Sequence, residues 1–560
     1  MLVTDAVAKA LSLLGADTVF GVVGSGNFHV TNALIANGAR FIAARHECGA
    51  ASMADAWARL SGRPGILSVH QGPGLTNALT GITEAAKART PLLVLAADVS
   101  SQAVTSNFRI DVGAIAAATG ATPARLGSAS LAIDDAVRAY RLARDDRRTV
   151  VLAMPLDVQA GQCTWPGPPE PGGAVPRPPS DRHAAELAAA LATAARPVFI
   201  AGRGARTAEA RSALERLADG CGALLATSAA AKGLFRGSPW DLDVSGGFAS
   251  PLAAELITGA DLIVAWGSSL NMWTTRHGRL IGPDTRVIQV DCDAGAIGRH
   301  RRAHHGVVGD VALTARSVTA LLEHEPREPL PPDGGTDDVI GPGYRSAGLR
   351  KRLATEVRWR DVPFEDESDG DRIDPRALTI ALDDMLPAER IVAVDSGNFM
   401  GYPSMFMSVP DHDGFCFTQA YQSIGLGLAS AIGSAIARPD RLTVAALGDG
   451  GALMGISELE TAVRLSLPMV IAVYDDEAYG AEVHHFGPDG FPLDTVRFPA
   501  ADIAAIARGF GCDAVTVRST ADLGPVRDWL ESRTGRPMVI DAKVTSAHGS
   551  WWLEEAFRGH

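Results

Sequence analysis

Gly448-Asp449-Gly450-Gly451 closes the apolar run Leu442-Thr443-Val444-Ala445-Ala446-Leu447, and Asp475-Asp476-Glu477-Ala478-Tyr479-Gly480 closes a second, Met469-Val470-Ile471-Ala472-Val473-Tyr474. Each run reads as a buried strand. Between them, Ser457 to Leu467 has helical spacing, and Pro468 stops it. The stretch is one βαβ unit with carboxylates at the carboxyl ends of two parallel strands, where open α/β sheets bind ligands. Hard oxygen ligands converging from two strand ends suit a metal-bound diphosphate.

Working outward, short apolar runs alternate with helical segments throughout. Ile66-Leu67-Ser68-Val69, Leu92-Leu93-Val94-Leu95, Val198-Phe199-Ile200, Leu262-Ile263-Val264 and Ile391-Val392-Ala393-Val394 are examples. This predicts α/β domains with parallel sheets and helices on both faces. Two Pro- and Gly-rich stretches, Trp165 to Pro179 and Pro326 to Gly343, can form neither helix nor central strand. A chain of 560 residues therefore divides into an N-terminal domain (1–164), a linker (165–182), a central domain (183–325), a second linker (326–372) and a C-terminal domain (373–560).

The net charge of −13, without a basic run, argues against nucleic acid. An anionic cofactor must be held by metal and helix N-termini. Six scattered cysteines without CxxC spacing point to reduced thiols and a cytoplasmic protein. No stretch is long and apolar enough to span a bilayer, and the first residues lack a signal-peptide pattern.

In the first domain, Arg45 to Arg59 reads as a buried helix with Glu47 near its start. The pattern Arg45-His46-Glu47-x-Gly49-Ala50-Ala51-x-Met53-Ala54-Asp55 is similar to acetolactate synthase-like thiamine diphosphate enzymes. Val19-Phe20-Gly21 and Gly72-Pro73-Gly74-Leu75-Thr76-Asn77 fit the same family. The C-terminal stretch resembles the thiamine diphosphate signature, a GDG followed by Asn-Asn. Asp476 lies 27 residues after Asp449, as that signature requires. Asp475-Asp476 replaces Asn-Asn, which keeps oxygen donors and makes the site more negative.

The resemblance implies three α/β domains: pyrimidine-binding, central and diphosphate-binding. It implies thiamine diphosphate and Mg²⁺, the metal on Asp449, Asp476 and the Ala478 carbonyl. Gly448, Gly450, Gly451, Tyr479 and the turn with Asp395, Gly397 and Asn398 would line the cofactor. Ile424 would wedge it into its bent shape, and the Gln422 carbonyl would accept from the 4′ amine. Glu47 would hydrogen-bond the aminopyrimidine N1′. A raised Glu47 pKa would help that role.

Ser25 and His70 resemble the active-site serine and histidine of benzoylformate decarboxylase, although His70 also reads as a strand-end histidine satisfied by backbone. Asn27 and His29 are lesser candidates, and His29 is expected to point into the helix that follows. Glu482 resembles the second catalytic glutamate of pyruvate decarboxylase, while His484 and His485 read as solvated. The glutamine of typical synthases is not evident at Asn107-Phe108-Arg109-Ile110-Asp111.

The implied activity is decarboxylation of a 2-keto acid with ligation to a second carbonyl. The alternatives are simple decarboxylation to an aldehyde and a non-catalytic thiamine-binding homologue. The implied assembly is a homodimer or homotetramer, with Glu47 of one subunit meeting cofactor held by the other. The short Gly202-Arg203-Gly204 turn is too little for a nucleotide fingerprint, and FAD is expected to be absent. Trp273, Trp551 and Trp552 are read as packing residues that could also line an entrance.

Overall fold

The structure, a computed structural model, describes residues 1–324, 342–532 and 534–553. Three six-stranded sheets organise the chain, and every strand pairing in them is parallel.

The first sheet holds β1 (Thr18–Gly21), β2 (Arg40–Ala43), β3 (Gly65–Val69), β4 (Leu92–Asp98), β5 (Thr122–Arg125) and β6 (Thr149–Pro155). The second holds β7 (Pro197–Ala201), β8 (Leu224–Thr227), β9 (Asp241–Val244), β10 (Leu262–Trp266), β11 (Arg286–Asp291) and β12 (His305–Val308). The third holds β13 (Arg390–Val394), β14 (Phe415–Phe417), β15 (Leu442–Gly448), β16 (Met469–Asp475), β17 (Asp513–Val517) and β18 (Met538–Lys543).

Spatial order matters for the site. The first sheet runs β2-β1-β3-β4-β6-β5 and the third β14-β13-β15-β16-β18-β17. These are the same topology, so the two domains are a structural repeat. In such a sheet the strand order reverses between the first and third strands, and the crevice beyond their carboxyl ends is the ligand position. That crevice lies after β1 and β3 in the first domain and after β13 and β15 in the third. The second sheet runs β12-β11-β10-β7-β8-β9, the order of a dinucleotide-binding fold. Its own crevice lies after β7 and β10. There the Gly204 N–H donates to the Gly267 carbonyl at 3.0 Å, which draws the two loops together.

The central strands are buried on both faces, which explains their unbroken Val, Ile, Leu and Ala runs. The Glu47–Ser61 helix packs on the Gly427–Ala437 helix, so the first and third domains share one core. Small residues let these backbones approach. A Cβ on Gly433 would overlap the Met53 carbonyl, and truncating Ile432 to alanine would cost about 2–5 kcal/mol.

Residues 165–180 form neither helix nor strand, and the Asp181–Thr193 helix begins within the stretch read as the first linker. Most of Pro326 to Gly343 lies outside the described residues. The second linker needs correction further along. Ala347–Glu356 is a helix that buries Leu349 and Leu353 in the core of the central domain. Ser457 to Leu467 is also revised: the helical pieces are Asp449–Met454 and Glu458–Arg464. No described helix is long and apolar enough to cross a membrane.

Candidate active site

Asp449 is the first residue of the Asp449–Met454 helix, and Gly448 pairs in register with Tyr474. The two acidic strand ends are therefore neighbours. Burial, then Asp476, then Asp475 push the Asp449 carboxyl up to about 8. Burial likewise pushes Asp476 up to about 7, although its Oδ1 accepts the Ala478 N–H at 3.2 Å. Burial is the first cause of both shifts, and a neighbouring carboxylate adds to each, Asp476 and Asp475 beside Asp449 and Asp475 beside Asp476. The loop turns through Glu477, whose left-handed backbone (φ 58°) is anchored by an ion pair to Arg372 at 2.8 Å.

The extra charge expected at Asp475 is offset. Its carboxylate is paired with Lys543, which also lies 3.1 Å from Asp541 and donates to the Ala501 carbonyl at 2.9 Å.

Glycines shape the cradle. A Cβ on Gly450 would come within 2.6 Å of the Tyr479 ring, and one on Gly480 would overlap the Asp476 carboxylate. Asn398 is tied to the C-terminal segment rather than left open. Its side-chain oxygen accepts the Ser550 N–H at 2.9 Å, and its carbonyl accepts Ser550 Oγ at 2.7 Å and Trp552 Nε1 at 2.9 Å. Trp552 is buried and meets Trp273 at 6.1 Å between ring centres.

Asp395 does not stand free. Its carboxylate accepts the N–H groups of Gly425 (2.9 Å), Leu426 (3.2 Å) and Ser396 (2.9 Å), and burial raises it to about 6. It therefore pins one end of the Gln422-Ser423-Ile424-Gly425 loop beside β13, against Gly451. Glu84 pins the other end, accepting the N–H groups of Ala420 (3.1 Å) and Tyr421 (2.6 Å). Glu84 is paired in turn with Arg59 at 2.8 Å, and Arg59 also pairs with Asp55 at 2.8 Å. Between the pins, Gln422 adopts a left-handed backbone (φ 61°) and is exposed, and Ile424 is half-buried.

In the first domain, Glu47 opens the Glu47–Ser61 helix, half-buried, and its Oε2 accepts from Asn77 Nδ2 at 3.0 Å. His70 follows β3. Its Nδ1 accepts the Gly26 N–H at 3.1 Å, and its ring meets Phe108 edge-on at 5.3 Å. Burial lowers the His70 pKa, and the nearby Glu47 charge opposes this. Neutral His70 therefore carries its proton on Nε2. Ser25 is exposed on the same loop.

Asn27 is buried and spent on the loop itself, bonded to Gly24, Val22 and Ser68. His29 lies exposed on the first turn of the Phe28–Ala36 helix, which corrects the expected inward direction. Glu482 is exposed in the Gly480–Phe486 helix, one turn beyond Tyr479. His484 is corrected too: it packs under Gly549, and its buried Nε2 has no hydrogen-bond partner among the described residues.

Two residues that the sequence reading missed stand beside these pieces, and one of them anchors the helix of Glu47. Glu458 of the third domain accepts the N–H groups of Arg45 and His46, both at 3.0 Å, and so anchors the approach to Glu47. Gln71, beside His70, is buried with a side-chain oxygen that lacks a donor among the described residues. The chain thus presents two clusters on two different domains, one around Glu47 and His70 and one around Asp449 and Asp476.

Residues 1–118 match the thiamine pyrophosphate enzyme N-terminal TPP binding domain, 184–318 the central domain and 395–542 the C-terminal TPP binding domain. The chain belongs to the thiamine pyrophosphate enzymes. It is 30% identical to a probable 2-ketoarginine decarboxylase of Pseudomonas aeruginosa, over 96% of this chain and 92% of that protein. It is 26% identical to a sulfoacetaldehyde acetyltransferase of Castellaniella defragrans, over 93% and 89%. It is 27% identical to the acetolactate synthase large subunit of Parasynechococcus marenigrum, over 96% and 87%. The family and these relatives support a thiamine diphosphate-dependent decarboxylase or carboligase.

Proposed function

We propose that the protein decarboxylates a 2-keto acid and ligates the acyl fragment to a second carbonyl compound, using thiamine diphosphate and Mg²⁺ at a site shared by two subunits. The observation that carries this reading is the matched pair of crevices. His70 follows β3 at one and Asp449 follows β15 at the other, with Glu47 and Asp476 beside them, in two domains of identical topology.

The donor set fits Mg²⁺. Asp449 and Asp476 would supply hard oxygens from neighbouring strand ends, and the Ala478 carbonyl a third. Gly448, Gly450, Gly451, Gly397 and Asn398 would border the diphosphate, with Tyr479 against Gly450. Asp395 and Glu84 would act by positioning the Gln422–Ile424 loop. Bound thiamine diphosphate supplies the carbanion and the electron sink for decarboxylation.

The chain's own residues account for the rest. Glu47, held by Asn77, would exchange a proton with the pyrimidine ring nitrogen. His70, with Nδ1 committed to Gly26, would offer its Nε2 proton to a developing alkoxide. Ser25 and Glu482, both exposed in one chain, would reach substrate only when a second chain covers them. The exposed apolar residues Val23, Phe28 and Phe108 near one cluster, and Tyr421, Leu453 and Met454 near the other, support such a homodimer.

A second reading is simple decarboxylation to an aldehyde. It is favoured by the decarboxylase name of the 30% identical relative. CO₂ release from a panel of 2-keto acids, with and without aldehyde acceptors, tests both. A 2-hydroxyketone product is expected. Aldehyde alone across the panel would select the second reading, and no CO₂ release would refute both.

A further inference from the structure

Away from both clusters, three potential metal ligands converge on the central domain. His183 and Glu186 stand three residues apart in the first turns of the Asp181–Thr193 helix, which puts them on one face. His305 opens the edge strand β12 beside them. One ligand atom from each lies within 4.8 Å of the other two, and all three side chains are half-buried. The two imidazoles meet edge-on with ring centres 5.3 Å apart.

The second observation concerns the closest pair. His305 Nε2 lies 3.0 Å from Glu186 Oε2, yet this buried nitrogen makes no aligned hydrogen bond among the described residues. A nitrogen and a carboxylate oxygen that are close but misaligned for N–H···O are disposed like two ligands of one ion. The other carboxylate oxygen accepts from Arg182 Nε at 2.8 Å, which leaves Oε2 turned to His305.

We propose that His183, Glu186 and His305 bind one divalent transition-metal ion of the zinc class, with water in a fourth position. Two imidazoles and one carboxylate are a common three-ligand set for zinc. Tetrahedral bonds of about 2.0–2.1 Å set the ligand atoms about 3.3 Å apart, and rotation of half-buried side chains covers the remaining difference. Imidazole suits Zn²⁺, Co²⁺ and Ni²⁺, whereas Mg²⁺ prefers oxygen, so this site is chemically distinct from Asp449 and Asp476. It would fasten the helix that follows the Pro-rich 165–180 stretch to the open edge of the central sheet.

The test is calorimetric titration of Zn²⁺ into the full-length protein already holding Mg²⁺ and thiamine diphosphate. One Zn²⁺ per chain is expected, with affinity reduced by more than about 100-fold in His305→Ala and in His183→Ala. Zn²⁺ should raise the melting temperature of the parent and leave that of His305→Ala unchanged. Should a variant misfold, Co²⁺ added to the parent gives an independent reading. Tetrahedral d–d absorption without a thiolate charge-transfer band is expected. Binding that is absent, unchanged in both folded variants, or marked by a thiolate band would overturn the proposal and leave the thiamine chemistry untouched.

Discussion

Glu458→Ala should loosen the start of the helix that carries Glu47, although residue 458 lies in another domain. One oxygen of Glu458 accepts two backbone N–H groups, from Arg45 and His46, each at 3.0 Å, and the other accepts Thr461 Oγ1 at 2.7 Å. A buried donor left without a partner costs about 1–3 kcal/mol, and the low end applies to these part-buried N–H groups. Taking roughly 1 kcal/mol for each N–H gives about 2 kcal/mol, a factor of about 30 in local opening. Glu458→Gln keeps an acceptor oxygen and should lose no more than about 1 kcal/mol. Peptide-level hydrogen exchange over residues 45–53 reads the effect directly, and turnover should fall in parallel because Glu47 is no longer held in place. Burial raises the Glu458 pKa in the folded protein. Stability from this group is therefore full below the ordinary carboxylate pKa and declines as pH rises through the folded value. The advantage of the parent over Glu458→Gln should be larger at about pH 4 than at about pH 7. Parent-like exchange and activity in Glu458→Ala, or equal damage from Gln and Ala, would refute the anchoring role.

Other substitutions probe the remaining supports. Glu84→Ala leaves the Ala420 and Tyr421 N–H groups and Arg59 short of a partner; a destabilisation of about 3–5 kcal/mol and weaker thiamine diphosphate binding are expected, read by thermal melting and by equilibrium dialysis. Gly480→Ala drives a methyl group into the Asp476 carboxylate and should reduce Mg²⁺-dependent cofactor retention while the central domain melts as in the parent. Asp449→Ala should abolish retention of cofactor and metal, measured by mass spectrometry of the desalted protein. His70→Ala should slow turnover on the order of 10²–10⁴-fold. Because burial lowers the His70 pKa, loss of activity on acidification should begin below the ordinary histidine value of about 6.5, and a pH profile of His70→Ala should lack that limb.

The parts of this structure legible in the sequence are those built from local signals. β15 and β16 are covered on both faces, so they appear as unbroken apolar runs, and the acidic residues after them mark strand ends. Glu47 and His70 could be named because the motifs around them resemble those of thiamine diphosphate enzymes; a helix start and a strand end alone would not have singled them out. Sheet order could not be read, since it depends on pairings between distant segments; the repeat relating the first and third domains emerges only in space. The supports escaped for the same reason. Glu458 is 413 residues from Arg45, and Glu84 is 336 from Ala420, so neither pair leaves a spacing pattern. Asp475 looked like surplus charge because its partner Lys543 lies on a different strand. The Ala347–Glu356 helix was hidden by its polar composition, with Leu349 and Leu353 as its buried contacts. The interrupted helix after Asp449 shows how spacing fixes a face better than an end.

In the proposed function Glu47 activates thiamine diphosphate held through Asp449 and Asp476. Proton–deuterium exchange at C2 of the bound cofactor, compared in the parent and Glu47→Gln, measures it most directly. The variant should retain cofactor, and its exchange should slow on the order of 10²-fold or more. Exchange at the parent rate in a variant with full cofactor occupancy would contradict it.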